Sequence, residues 1–305
     1  MNLKAAWKRY FEDSKYSEWR WAYIFLAVDL AWSALFLFYP LIRAFIFSLQ
    51  EFNLSNIGNV RFIGLKNYID ILTDTSGWWH SVKITAMYTL FTVPVNIAIA
   101  MGLSLLIHPL GDRSANFYKS AFYLPGVISA TVMSVIMIWV FSPMSGLANL
   151  ILEKLGLPTL RWYGSPDTAL LTLMLMIWLS GHGMGVLLYT AALKRVPQSL
   201  YEAADIDAAS GWSKFWRITW PLLKPTTLYV LVIQLIESFQ TFSGAFFITR
   251  GGPIRSTEFV NWRIYETFYR YGNFGLASAM AVVLMFVIMV ISLVNFKLLG
   301  TDVEY

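Results

Sequence analysis

The sequence contains no cysteine in its 305 residues, which removes disulfides, thiolate nucleophiles and cysteine metal sites from consideration. Charge is scarce: Asp, Glu, Lys and Arg make up 13% of the chain, about half of the roughly 25% usual in soluble domains. The histidines, His80, His108 and His182, stand in no H-E-x-x-H pair, and there is no G-x-S-x-G nucleophile elbow. A G-x-x-x-x-G-K-[ST] loop for cradling nucleotide phosphates is missing as well. Enzymatic chemistry of these kinds, and ATP binding through that loop, are therefore set aside.

What is present is apolar. Hydrophobic residues form 57% of the chain and the mean hydropathy is +0.56, values of a membrane protein. The net charge of +5 is read as the Lys and Arg excess of cytoplasmic loops rather than as a nucleic-acid footprint. Residues 1–20 place Leu3, Ala6, Trp7, Tyr10 and Phe11 on one helical stripe with Lys4, Lys8, Arg9, Glu12 and Lys15 elsewhere, as in a helix lying in the membrane interface. No signal-peptide pattern with a small-residue cleavage site appears, so the next segment reads as a retained anchor. About 20 predominantly apolar residues cross a bilayer, and six stretches qualify: 22–49, 84–107, 121–141, 169–193, 226–248 and 274–299. The fold class is thus all-α, a polytopic membrane protein with an interfacial helix over 1–20 and a six-helix domain over 21–305. With Lys297 at the inner end of the last span included and Arg43 in the first span left out, Lys and Arg number thirteen on the side of the termini and nine opposite, four of the nine being Arg250, Arg255, Arg263 and Arg270. That is a modest bias toward cytoplasmic termini.

The polar interruption at 199–225 carries strong local signals. Ser199 with Glu202 three residues on forms a capping box, and Gly211 is placed as the stop. The short helix between them shows Leu200, Ala203, Ala204, Asp207 and Ala208 on one face, where small side chains leave the backbone open to another surface. A second amphipathic piece through Phe215, Trp216, Ile218 and Trp220 is expected to end at Pro221, with Pro225 opening the next helix.

Glu202-Ala203-Ala204, Asp207, Phe215, Ile218, Pro221, Leu222 and Leu223, at these spacings, resemble the EAA signature of permease subunits of ATP-binding-cassette (ABC) importers. The family's usual Gly after the Asp is Ala208 here, a residue that disfavours a sharp backbone turn. The plainer reading is that Glu202 only caps its own helix. Outside this loop, Phe62-Ile63-Gly64-Leu65-Lys66-Asn67-Tyr68, Thr249-Arg250-Gly251-Gly252-Pro253, Tyr39-Pro40 and Tyr123-Leu124-Pro125 resemble the carbohydrate-uptake branch of the same family. The long outer insertion of its maltose-type members is missing between 141 and 169.

The resemblance implies an ABC type I importer transmembrane domain in the cytoplasmic (inner) membrane, with the 195–225 loop and both termini inside. Glu202, Ala203, Ala204, Asp207, Ala208, Gly211, Phe215 and Pro221 would then form the coupling segment that docks on a cytoplasmic ATPase. It further implies two ATPase subunits that bind ATP and Mg²⁺, no cofactor in this chain itself, a second permease in a heterodimer, an extracytoplasmic solute-binding protein and a carbohydrate cargo. A non-sugar polar solute such as a glycerol-phosphate derivative is the alternative cargo. An ion-coupled secondary transporter is the alternative class, but six spans without an evident repeat argue against it.

Polar groups deep in a span usually face the bundle interior or a water-filled path. Candidates for such a path are Gln234, Glu237 and Gln240 in the fifth span, Trp178 and His182 in the fourth, and Asn96 in the second, with Phe239 and Phe242 as aromatic platforms. Each has a structural alternative: Gly181, Gly183 and Gly185 as helix-packing contacts with His182 bonded to a neighbour, Glu237 paired with His182 or an Arg, and the phenylalanines as packing groups.

Overall fold

The computed structural model describes residues 14–73 and 77–299, so most of the amphipathic stripe expected over 1–20 lies outside the described residues. Helix α1 (Ser14–Ser33) passes through a π-helical turn at Ala34–Phe38 into α2 (Tyr39–Ser48). Residues 14–20 therefore continue unbroken into the first span, whose apolar stretch is not buried against the rest of the chain. A two-stranded antiparallel ribbon, β1 (Gln50–Glu51) with β2 (Arg61–Phe62), and helix α3 (Lys66–Thr73) follow. Asn67 explains why its motif closes this end of the bundle: its amide donates to Ser48 O (2.9 Å) and Gln50 O (3.0 Å), while Tyr68 bonds Ser48 Oγ (2.7 Å).

Helix α4 (Trp78–Ile107) is the central axis. Tyr88, Ala100 and Trp78 place it in each of the three apolar clusters that form the core. Next come α5 (Asp112–Val127) and α6 (Ala130–Val140), then α7 (Leu147–Lys154), α8 (Pro166–Ser180) and α9 (Gly183–Leu193). After these, α10 (Gln198–Ile206) precedes α11 (Gly211–Lys214), which runs through a π-helical turn at Phe215–Thr219 into α12 (Trp220–Phe239). Helices α13 (Val260–Tyr265) and α14 (Phe274–Leu299) complete the described chain.

Among the described residues four helices are long and apolar enough to cross a membrane, and the number rises to six when each of two bent pairs is counted as one span. The count matches the hydropathy reading, but the straightness does not. The third span turns by 97° between α5 and α6, because Ile128 and Ser129 are extended (ψ 133° and 145°) and Ser129 caps α6 by accepting from Val132 N. The fourth bends by 44° between α8 and α9. The fifth, expected as helix over 226–248, ends at Phe239 and resumes only beyond Thr241 and Phe242.

The fifth span also starts earlier than the prolines suggest. Pro221 does not terminate a separate piece and Pro225 does not open the span, since Gly211–Phe239 is one candidate crossing. The π-helical turn hands the Trp220 N–H to Phe215 O, five residues back, so Pro221 falls where the ladder is already out of α register.

At the end of the bundle that holds β1 and β2, the loop leading to α13 is fixed to α4. Buried Glu258 accepts from Ser81 Oγ (3.0 Å) and pairs with Arg255 and Arg263, and Val260 N donates to Thr85 Oγ1 (3.0 Å). Gly251 sits at φ +77°, and a Cβ there would meet the Trp262 indole nitrogen at 2.4 Å, so no larger residue fits this turn. Arg270 pairs with Glu266 (2.8 Å). Three of the four arginines that weakened the charge bias thus have carboxylate partners.

Candidate functional site

Two places hold the sequence-predicted residues together. The first is α10 and its exit. Helix α10 buries none of its residues, and Ile206 (87% exposed) and Trp212 (73%) project beside Leu200 as uncovered apolar groups. Two ties anchor it to the base of the fifth span, Tyr201 OH to Thr219 Oγ1 (2.8 Å) and the Asp205–Lys214 ion pair. A force applied to α10 therefore reaches α12 through short, directed contacts.

The ends of α10 differ from expectation. Pro197, extended at ψ 125°, is the N-cap, and no side chain caps the helix. Ser199 is already inside the first turn, so the capping box with Glu202 is not made. Gly211 is not the stop but the first residue of α11, capped by Ser210 Oγ accepting from Ser213 N (3.3 Å). The stop is a Schellman turn: Ala209 N donates to Ala204 O (2.9 Å) and Ala208 N to Asp205 O (3.0 Å). Ala208 occupies its left-handed position at φ +51°. The sharp turn that alanine disfavours is made nevertheless, at a cost of about 1–2 kcal/mol relative to ordinary helical geometry. Glu202, Ala203, Asp207 and Ala208 are exposed around it, and Ala204 is half-buried; Phe215 and Pro221 lie in the helix it is tied to. Sequence reasoning missed Ile206 and Trp212, because the small-residue face drew attention away from the apolar groups beside it.

The second place is a cavity of about 560 Å³ where the three helix breaks converge, a volume within the range of about 300–1,000 Å³ typical of small-molecule sites. Pro125, Gly126 and Ile128 bring the break of the third span to its wall, Gly181 that of the fourth, and Gln240, Thr241 and Phe242 that of the fifth. Of the residues expected on a cargo path, Glu237, Gln240 and Phe242 line this cavity. They are joined by Ser180, one of the polar groups expected at mid-depth in the fourth span, and by Tyr88, Ser134, Ser243 and Phe259, which sequence reasoning passed over. The run Gln240-Thr241-Phe242-Ser243-Gly244, polar and small inside an apolar stretch, is the signal that marks Ser243. Hydroxyls, one amide, one carboxylate and aromatic faces are the complement that a polyhydroxy solute requires.

The other five proposed path residues do not line this cavity. His182 and Asn96 are buried against each other: His182 Nδ1 donates to Asn96 Oδ1 (3.0 Å) and Asn96 Nδ2 donates to Gly181 O (3.0 Å). They satisfy the polar groups freed by the bend in the fourth span. Gly183 and Gly185 serve packing, since a Cβ on the first would meet Phe122 O and Tyr123 Cα at 2.7 Å, and on the second Ala100 Cβ at 2.7 Å. Phe239 belongs to the cluster around Trp78 and Met280, and Trp178 packs on the one around Tyr88 and Leu173. Gln234 is buried on α12.

Residues 114–303 match the family described as binding-protein-dependent transport system inner membrane component. The arabinooligosaccharides transport system permease protein AraP of Bacillus subtilis (strain 168) is 33% identical over 95% of this chain and 92% of its own length. The sn-glycerol-3-phosphate transport system permease protein UgpA of Agrobacterium fabrum (strain C58 / ATCC 33970) is 28% identical over 93% and 96%. A solved bacterial ABC transporter involved in the import of the acidic polysaccharide alginate shares the fold, with a TM-score of 0.77 at 21% identity over 98% of this chain and 100% of that one. The chain thus has a type I importer transmembrane fold, and it belongs to the family of binding-protein-dependent transport system inner membrane components.

Proposed function

We propose that this chain is one of two permease subunits of an ATP-driven importer that moves a carbohydrate across the cytoplasmic membrane by alternating access. The observation that carries the proposal is α10, uncovered on its apolar side and tied to α12 by Tyr201–Thr219 and Asp205–Lys214. A separate cytoplasmic ATPase subunit grips this helix, one on each permease, and ATP with Mg²⁺ binds there and not in this chain. The second permease, a different chain in a heterodimer, completes the path, and an extracytoplasmic solute-binding protein delivers the cargo. Both termini and α10 face the cytoplasm; the ion-paired Arg255, Arg263 and Arg270 support that orientation because their charge is held by structure at the other end.

Relatives named for arabinooligosaccharides and for sn-glycerol-3-phosphate support a polyhydroxy cargo, and the hydroxyl and aromatic wall of the cavity agrees with it. Broken spans also occur in ion-coupled secondary transporters, so the deciding experiment separates the energy sources. Uptake by cells depleted of ATP but retaining their ion gradients is expected to stop; uptake that persists overturns the proposal. In the assembled complex, Glu202→Lys is expected to weaken ATPase binding or leave ATP hydrolysis uncoupled from cargo.

A further inference from the structure

The cavity carries charge of one sign. Among the described residues its wall has no Lys, Arg or His, and Glu237 is its single carboxylate. No ion pair or hydrogen bond among the described residues engages the Glu237 side chain, and the chain's ion pairs sit at the ends of the spans, as with Lys194–Asp112 and Arg270–Glu266. The other polar groups of the wall are neutral: the Gln240 amide and the Tyr88, Ser134, Ser180, Thr241 and Ser243 hydroxyls.

We propose that Glu237 makes this permease's wall of the path selective against anions, so that the cargo is a neutral polyhydroxy compound rather than a phosphate ester or a uronate. This rests on the reading of the cavity as the cargo path. A carboxylate accepts hydrogen bonds from sugar hydroxyls, and these charge-assisted bonds are stronger than neutral ones. A phosphate or carboxylate on the cargo needs donors of the Arg or Lys type, which this wall does not offer, and it meets a like charge where low dielectric strengthens repulsion. The relatives' names include both neutral and anionic solutes, so the family alone does not choose between them; the wall residues do.

The absence of cysteine permits a test that needs no knowledge of the cargo. In the assembled importer, Thr241→Cys places one thiol in this chain on the same wall, and its labelling is followed by mass with two reagents of similar size. These are the anionic sulfonatoethyl and the cationic trimethylammonioethyl methanethiosulfonates. Relative to their rates with a free thiol in solution, the cation-to-anion ratio is expected to be about tenfold higher with Glu237 than in the Glu237→Gln background. Glu237→Asp should preserve the ratio, and about 1 M salt should reduce it. A ratio unchanged by Glu237→Gln overturns the proposal, as does a thiol that neither reagent reaches. Uptake of arabinotriose by the unaltered importer is measured in parallel: its absence would count against the carbohydrate reading, while the reagent ratio would still decide the charge claim.

Discussion

Two sets of polar groups lie at similar depth in the spans and do opposite things. Asn96 and His182 are buried, bonded to each other and to the Gly181 carbonyl, with no share in the cavity wall. Glu237 and Gln240 are exposed, their side chains have no partner among the described residues, and both line the cavity. A polar residue in a membrane span has to be satisfied by something. Where the protein supplies the partner, the residue holds a bend; where it does not, the partner is water or cargo. The comparison assigns stability to the first pair and transport to the second.

That division can be broken by substitutions, and the largest effect is expected at the packed bend. Gly183→Val drives a side chain into the Phe122 and Tyr123 backbone, and the assembled complex should lose about 3 kcal/mol or fail to assemble, measured by thermal unfolding and yield. Asn96→Leu orphans the Gly181 carbonyl and the His182 ring, which should cost about 2–3 kcal/mol; transport per folded complex should stay near normal. Gln240→Ala should reverse that pattern, leaving stability within about 0.5 kcal/mol while lowering uptake about tenfold, the loss of one cargo hydrogen bond. A stability loss at Gln240 equal to that at Asn96 would erase the distinction. The smallest effect is expected away from both sets of polar groups: Ala208→Gly relieves the left-handed alanine at φ +51° and should stabilise by about 0.5–1 kcal/mol with coupling intact. It gauges what the unfolding measurement can resolve.

The sequence made the number of spans legible, because each apolar run is long enough to cross a bilayer whatever its shape. It also brought Glu237, Gln240 and Phe242 to notice, since polar and aromatic residues interleave in one run. The breaks were harder to read. Hydropathy counts apolar side chains and is blind to whether successive N–H groups still find carbonyls four residues back, so the extended Ile128-Ser129 pair passed as helix. The Asn96–His182 contact joins residues 86 positions apart, which no local pattern encodes. At α10 local signals were present but overruled: Pro197 starts the helix before Ser199 can cap it, and tertiary ties hold Ala208 in a turn that glycine would make more easily.

The claim on which the rest depends is that cargo passes through the cavity where the three breaks meet. Gly126 lies on its wall, and a Cβ added there meets nothing within 4 Å, so the backbone there has room for a side chain and Gly126→Trp is the substitution chosen to fill the cavity. Uptake by the complete importer carrying this substitution is predicted to be abolished while ATPase assembly and thermal stability remain unchanged. Undiminished uptake by a Gly126→Trp complex of normal assembly and thermal stability would contradict it.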